Sequence, residues 1–177
     1  MNIVEHNRAA WDRESKQGSE WSTPVSAEVI AAAREGVLSL ILTPNRKVPA
    51  SWLGDLRGKD VLCLASGGGQ QAPVLAAAGA KVVSFDVSEE QLKKDQEVAE
   101  REQLSIRCVR GDMADLGQIP DESFHLIFHP ISNVFVPDVM PVWRECYRVL
   151  KPEGRLLAGI MNPCFFIFDH DEAADSH

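Results

Sequence analysis

One stretch of this sequence constrains the fold more than any other: a short apolar run followed at once by a glycine-rich segment. Residues 61–65 have the length of a strand and are apolar throughout, which is typical of a strand buried on both faces of a parallel sheet. Ser66 and residues 67–69, all glycine, end that strand. Residues 70–78 have the composition of a helix that Gly79 terminates. The stretch therefore predicts a strand, a glycine turn and a helix.

The same alternation continues to residue 161. Four further strands are predicted, at residues 81–86, 106–109, 124–128 and 155–161, the last after a turn at residues 151–154. One helix begins at Ser88, where Gln91 stands at the capping-box position. Another begins at Asp138 with Pro141 in its first turn, and its apolar residues recur at helical spacing. Five strands alternating with helices predict an α/β fold with a doubly wound, mostly parallel sheet.

The N-terminal part of the chain has a different pattern. We interpret residues 1–53 as a helical extension, or cap, on an α/β core at residues 54–177, the two forming one compact domain. A helix is predicted with Thr23 as its N-cap, the following proline as its first residue and Gly36 as its terminator. An earlier helix is predicted around residues 7–14.

Charge and cysteine usage limit the partners that we expect. The chain has 26 acidic and 18 basic residues and a formal net charge of −8. A duplex nucleic-acid binder needs a basic face, so no nucleic-acid partner is expected. No apolar run approaches the roughly 18–20 residues that cross a bilayer, and the first residues do not resemble a secretion signal. The four cysteines are far apart, so we expect reduced thiols, no metal site and a cytoplasmic protein.

The glycine turn has the chemistry of a nucleoside site. Gly67 and Gly69 allow the backbone to approach a ligand at the end of the strand, where helix N–H groups also point. Asp86 ends the next strand, 19 residues after Gly67, a spacing that suits a carboxylate accepting hydrogen bonds from both ribose hydroxyls. The alternative is a plain tight turn beside a strand that happens to end on an acid. A dinucleotide is disfavoured because the third glycine of G-x-G-x-x-G is absent.

Further motifs carry a family resemblance. Residues 111–113, Gly-Asp-Met, follow the third strand and place a second acid at the same sheet edge. Residues 143–156, WRECYRVLKPEGRL, form a helix and a turn that lead to the fifth strand. Together with residues 61–69 and Asp86, these motifs resemble the class I S-adenosylmethionine-dependent methyltransferases over residues 58–162.

The resemblance implies a Rossmann-like methyltransferase fold, S-adenosylmethionine as cofactor and S-adenosylhomocysteine as product. It implies that Asp86 accepts the ribose hydroxyls and that Val87 lies beside the adenine. It implies that Asp112 faces the exocyclic amine of the adenine and that the Met113 N–H faces a ring nitrogen. The cofactor-binding residues that it implies are Ala65, Ser66, Gly67, Gly69, Asp86, Val87, Gly111, Asp112, Met113, Pro130 and Asn133.

Methyl transfer to a small-molecule acceptor is the function that we expect. It requires alignment and exclusion of water, and a base only where the acceptor must lose a proton. His129 ends the fourth strand where the methyl group is expected and is a candidate base; the alternative is a packing histidine. Asn7, Trp11 and Asp12 resemble the segment that covers the pocket in small-molecule members of the family; the alternative for Trp11 is simple packing of a helix on the core. The rival functions are a catalytically silent cofactor-binding protein and, less favoured, a nicotinamide-dependent dehydrogenase.

The sequence also departs from the family pattern. Cys63 and His125 stand where acids are usual, which favours the silent alternative. Ala65 stands where a glycine is usual but is small enough to be tolerated. The antiparallel strand pair that follows the fifth strand in the family is absent, and residues 164–168 are strongly apolar. We therefore expect a truncated form, or an open sheet edge that a second copy of the chain covers.

Overall fold

The computed structural model describes residues 2–43 and 46–162. Its helices are α1 (Ile3–Gln17), α2 (Ala27–Arg34), α3 (Ala50–Leu53), α4 (Gln71–Ala77), α5 (Glu89–Glu102) and α6 (Met140–Val149). Its strands are β1 (Ile41–Thr43), β2 (Arg46–Lys47), β3 (Asp60–Leu64), β4 (Lys81–Asp86), β5 (Ile106–Arg110), β6 (Phe124–His129) and β7 (Leu150–Ala158). None of the helices in this described part has both the length and the apolar composition needed to cross a membrane.

Five of the strands form one parallel sheet in the order β5-β4-β3-β6-β7. Val61 of the central strand pairs with Val82 of β4 on one side and with Leu126 of β6 on the other. The chain winds outward from β3 to β5 and then crosses back to β6 and β7, so the winding direction changes beside β3. This confirms the predicted doubly wound fold, and ligands of such sheets bind at the switch point.

The sheet is covered on both faces, as the continuous apolar run of β3 predicts. Val61 and Cys63 belong to a buried cluster that contains residues of α2, α4 and α5. Leu62 and Leu64 belong to a second cluster, on the face covered by α6. All four side chains have no exposed surface. Burying a large aliphatic side chain contributes about 1.5–3 kcal/mol, so the central strand is held strongly from both sides.

The start of α5 agrees with the sequence, although its capping box is only half formed. Ser88 Oγ accepts the Gln91 N–H at 3.2 Å. The Ser88 N–H, which a complete box would give to the Gln91 side chain, donates to Asp86 Oδ1 at 2.9 Å instead. Gln91 Nε2 donates to Ser22 Oγ at 2.9 Å. The first turn of α5 is therefore tied to the acid that ends β4 and to the N-terminal segment.

The N-terminal extension differs from its prediction. The helix predicted to start after Thr23 begins only at Ala27, because the Val25 N–H donates to the Gly69 carbonyl at 2.9 Å and holds the preceding residues extended. The first helix, predicted around residues 7–14, is longer and spans all of α1. The antiparallel pair β1–β2 and the short helix α3 were not predicted.

Strand β7 forms one edge of the described sheet. Residues 151–154, predicted as a turn before the strand, form an irregularity within its pairing to β6. The strand ends at Ala158 and not at the predicted residue 161. The next residue, Gly159, lies so close to the Leu42 carbonyl of β1 that a side chain there would collide with it. The expectations for the strand pair beyond β7 and for the apolar residues 164–168 lie outside the described residues.

Candidate functional site

A cavity of about 600 Å³ lies at the carboxyl ends of β3, β4, β5 and β6. The segments that follow these strands form its floor, and α1 and β1 form part of its cover. Its volume falls within the range of about 300–1,000 Å³ that is typical of small-molecule and cofactor sites. The cavity therefore occupies the sheet edge where the sequence places a nucleoside-type ligand.

Most of the predicted site residues line this cavity. Nine of the cofactor-binding candidates do so, namely Ala65, Ser66, Gly67, Asp86, Val87, Gly111, Asp112, Met113 and Pro130. Of the predicted cover residues, Asn7 and Trp11 also line it and Asp12 does not. Three further candidates do not line it: Gly69, His129 and Asn133.

The glycine turn has positive φ angles at three of its positions, Ala65, Gly68 and Gly69. Gly68 has φ +125°, and a Cβ there would lie 2.6 Å from the Trp21 carbonyl oxygen, so only glycine fits. Ala65 has φ +49° although it carries a side chain, which costs about 1–2 kcal/mol. The Ser132 hydroxyl donates to the Ala65 carbonyl at 2.6 Å and helps to hold this conformation. Ala65 therefore adopts the conformation that the turn needs, but its side chain adds a conformational free energy that a glycine would not have.

Gly69, a predicted cofactor-binding residue, does not line the cavity, and its N–H points into the protein interior. Its N–H donates to Asp95 Oδ1 at 2.8 Å. Asp95 lies on α5 and has no exposed surface, and its Oδ2 accepts the Ser84 hydroxyl at 2.6 Å. Burial raises the pKa of Asp95 to about 7, although both hydrogen bonds lower it. A buried carboxyl that the sequence analysis did not single out therefore fixes the turn from beneath.

The Asp86 carboxylate lines the cavity and has unused hydrogen-bond acceptor positions. Its Oδ2 accepts the Gly67 N–H at 3.0 Å and its Oδ1 accepts the Ser88 N–H at 2.9 Å. Each oxygen keeps a further lone pair, so the group can accept two additional hydroxyl donors. Burial raises the pKa of Asp86, and the two backbone donors oppose that rise. This is the arrangement needed to bind a pair of neighbouring hydroxyls.

The segment after β5 supplies a second polar wall. Asp112 Oδ1 accepts the Ala114 N–H at 3.0 Å, which leaves its other oxygen without a partner among the described residues. The Met113 N–H likewise has no acceptor in that part of the chain. A side chain at Gly111 would collide with the Phe85 ring, so the backbone must be bare there. One acceptor and one donor side by side can recognise the edge of an adenine ring.

His129, which the sequence predicts as a candidate base, does not line the cavity. It has no exposed surface, its Nδ1 lies 2.9 Å from the Leu64 carbonyl oxygen, and its ring meets Trp143 edge-to-face at 5.8 Å. Burial lowers the pKa of His129. A base must come within hydrogen-bond reach of the proton that it removes, and this ring is enclosed by the core.

Asn133 also has a structural contact in place of the predicted cofactor contact. Its Nδ2 donates to the Gly159 carbonyl at 2.7 Å, which ties the segment after β6 to the end of β7. The neighbouring residues Ile131, Ser132 and Val134 line the cavity instead. The loop after β6 therefore borders the cavity through these three residues and not through Asn133.

Helix α1 is fastened across the cavity. On one side, Asn7 Nδ2 donates to the Phe135 carbonyl at 2.7 Å, and the Trp11 ring meets the Phe135 ring edge-to-face at 5.4 Å. On the other side, Asp12 Oδ1 accepts the Ser88 hydroxyl at 2.6 Å. The helix therefore bridges the segment after β6 and the start of α5, directly over the predicted cofactor site.

A second covering element was missed by the sequence analysis. Gln70 Nε2 donates to the carbonyls of Glu20 and Thr23, at 2.8 and 3.1 Å, and so binds this segment over the glycine turn. Trp21 in the same segment lines the cavity. These contacts join residues 50 and 47 positions apart, so no local pattern could have revealed them.

The two departures from the acid positions of the family lie away from the cavity. Cys63 is enclosed in the buried cluster between the sheet and α4. His125 Nδ1 accepts the Asp60 N–H at 3.0 Å near the opposite end of the sheet. Neither residue therefore weakens the candidate site. Within residues 2–43 and 46–162, no three His, Cys, Asp or Glu side chains are grouped as a metal ion would require.

Comparisons with known proteins give consistent matches. A family model described as a methyltransferase domain matches residues 62–158. A relative described as "Uncharacterized methyltransferase YbaJ", from Bacillus subtilis (strain 168), is 51% identical over 167 residues, which are 94% of this chain and 66% of that relative. The chain thus spans slightly less than two thirds of that relative's length.

Solved structures share the fold. An S-adenosylmethionine-dependent methyltransferase from Mesorhizobium loti has a TM-score of 0.54 and 26% identity, over 60% of this chain and 48% of that chain. Phosphoethanolamine N-methyltransferase 1 from Haemonchus contortus, solved with phosphoethanolamine and S-adenosylhomocysteine, has a TM-score of 0.63 and 23% identity, over 87% of this chain and 31% of that chain. Because the sequence identity to the Haemonchus contortus protein is only 23%, this similarity shows a shared fold alone.

Proposed function

The chain belongs to the class I S-adenosylmethionine-dependent methyltransferases, and from that premise we propose that it binds S-adenosylmethionine in this cavity and transfers the methyl group to a small organic molecule. The observation that carries the proposal is the Asp86 carboxylate. It lines the cavity, it is oriented by two backbone N–H groups, and it keeps free acceptor positions beside the glycine turn.

The residues of the cavity fit the cofactor. Asp86 would accept the two ribose hydroxyls, and Asp112 with the Met113 N–H would bind the edge of the adenine. The turn from Ala65 to Gly67 would face the remainder of the cofactor, because it lines the same wall. Gly111 packs against the Phe85 ring of the same wall, and a side chain at Gly111 would collide with that ring.

When bound, S-adenosylmethionine would supply a methyl group attached to a positively charged sulfur. The bond from that sulfur to the methyl carbon would break as a lone pair of the acceptor bonds to the methyl carbon. The protein's contribution is to orient both molecules and to exclude water. Helix α1 and the segment around Trp21 cover the cavity and serve the second purpose. The titratable side chains on the described walls are Asp86, Asp112 and Asp138. An acceptor that reacts as a neutral nucleophile and then releases its proton to water fits such a site.

We also propose a cytoplasmic setting. Three of the cysteines lie in the described part of the chain, and all three are free thiols: Cys63, Cys108 and Cys146. Burial raises the pKa of Cys108 and of Cys146 to about 12, so both remain protonated and unreactive. Such thiols suit a reducing compartment.

Calorimetric titration with S-adenosylmethionine and S-adenosylhomocysteine tests the site, with NADH as the control ligand. Hydrogen bonds to a charged group contribute about 1.5–3 kcal/mol each, so Asp86→Ala should weaken binding of both adenosyl ligands at least about tenfold. Asp55→Ala, at an exposed acid that does not line the cavity, should leave binding unchanged. Unchanged binding in a folded Asp86→Ala variant would refute the proposed site. Methyl transfer to any acceptor in a screen would exclude the silent alternative.

A further inference from the structure

The part of the cavity that does not face the predicted cofactor site has hydrophobic walls. These walls come from α1, β1, the segment after β6 and the first turn of α6, and include Ile3, Trp11, Ile41, Ile131, Phe135 and Pro141. The amide of Asn7 lies among them, but its Nδ2 is already committed to the Phe135 carbonyl at 2.7 Å. A molecule in this part of the cavity therefore meets mainly carbon surface.

The charged side chains on the cavity walls all have the same sign. They are Asp86, Asp112 and Asp138, and no lysine, arginine or histidine of residues 2–43 and 46–162 lines the cavity. The nearby Arg8 is paired with Glu5 and with Asp12, at 2.8 and 3.2 Å. A phosphate or carboxylate on the acceptor would therefore lose its hydration without gaining a cationic partner among the described residues.

The free energy of burying a group against these walls differs between anionic and apolar acceptors. An ionised carboxylate moved out of water without a partner is strongly disfavoured, and neighbouring carboxylates increase that penalty. An apolar group that enters the same space is favoured because it leaves water. Resting on the proposed methyltransferase function, we propose that the methyl acceptor has a hydrophobic body and carries no anionic group.

Two probes of the same shape and different charge test this proposal. The full chain is titrated at pH 7 with 2-naphthol, which is neutral, and with 2-naphthoate, which is an anion, both with and without saturating S-adenosylhomocysteine. The neutral probe should bind at least tenfold more tightly than the anion. Trp11→Ala should weaken 2-naphthol at least threefold, because Trp11 forms part of the hydrophobic wall.

A charge placed on the wall should reverse the discrimination. Val134 lines the cavity with 40% of its surface exposed, so the side chain of Val134→Lys has room to extend and reach a bound anion. This variant should improve 2-naphthoate binding at least tenfold. Val37→Lys, at an exposed position that does not line the cavity, is the matched control and should change neither affinity.

The outcomes separate this inference from the proposed function. Equal or tighter binding of 2-naphthoate, or no binding of 2-naphthol, would overturn the inference even if S-adenosylhomocysteine binds. Failure to bind S-adenosylhomocysteine would count against the cofactor site alone, because the ratio of the two probes is also measured without it. No effect of Val134→Lys on the ratio would show that wall charge does not set the preference.

Discussion

The buried carboxyl of Asp95 should make the stability of this protein depend on pH in the neutral range. It has no exposed surface, and it holds the glycine turn through the Gly69 N–H and strand β4 through the Ser84 hydroxyl. No cation partner compensates its charge in the described part of the chain, and the nearby Asp86 carboxylate disfavours ionisation further. Asp95→Asn keeps the shape and an acceptor oxygen for Gly69 but removes the titration.

The magnitude follows from the pKa of Asp95 in the two states. That pKa is about 7 in the folded protein against 3.8 for an ordinary aspartate. Between these values the folded state holds a proton that the unfolded state has lost, so the free energy of unfolding falls as pH rises and levels off above the folded pKa. Each pH unit in this window costs about 1.4 kcal/mol, so raising the pH from 5 to 8 should cost the wild type about 3 kcal/mol through Asp95 alone.

Urea unfolding at pH 5, 6, 7 and 8 measures this effect. The free energy of unfolding of Asp95→Asn, relative to wild type, should increase by about 3 kcal/mol from pH 5 to pH 8. The control is Asp55→Asn, because Arg57 lowers the pKa of Asp55 to about 2 and its charge is constant over this range. A difference between Asp95→Asn and wild type that stays constant from pH 5 to pH 8 would refute the reasoning.

Three further substitutions test other parts of the site. Ala65→Gly should raise the free energy of unfolding by about 1 kcal/mol, because Ala65 has φ +49°, and lower stability in urea would contradict this. Asp12→Ala removes the acceptor of the Ser88 hydroxyl and loosens α1, so S-adenosylhomocysteine should dissociate at least threefold faster in stopped-flow experiments; an unchanged rate would show that α1 does not control release. His129→Leu should change the affinity for S-adenosylhomocysteine by no more than about twofold relative to wild type, because this ring lies outside the cavity. A tenfold loss of affinity in calorimetry would show that His129 contributes to cofactor binding.

The features that could be predicted from the sequence are those that local patterns determine. The bounds of β4 and the N-cap at Ser88 follow from hydrophobic patterning and from capping chemistry within a few residues. Asp86 was placed correctly because it ends a strand whose direction in a parallel sheet fixes the edge at which it lies.

The features that local patterns do not determine are side-chain directions, which depend on the assembled fold. His129 ends β6 and Asn133 follows it, and both were assigned to the site for that reason, but the direction of a strand's last side chain depends on pairing and twist. Asp95 carried a signal that was not used. Leu92, Asp95 and Val98 recur at helical spacing and all three are buried, so an acid on the core-facing side of α5 was visible in the sequence.

The most direct test of the cofactor site is a crystal structure of the full chain with S-adenosylhomocysteine. We expect both ribose hydroxyls within hydrogen-bonding distance of the Asp86 carboxylate, and the adenine amine near Asp112 beneath α1. A ligand bound elsewhere on the chain, or one in the cavity whose ribose does not contact Asp86, would contradict the proposed site.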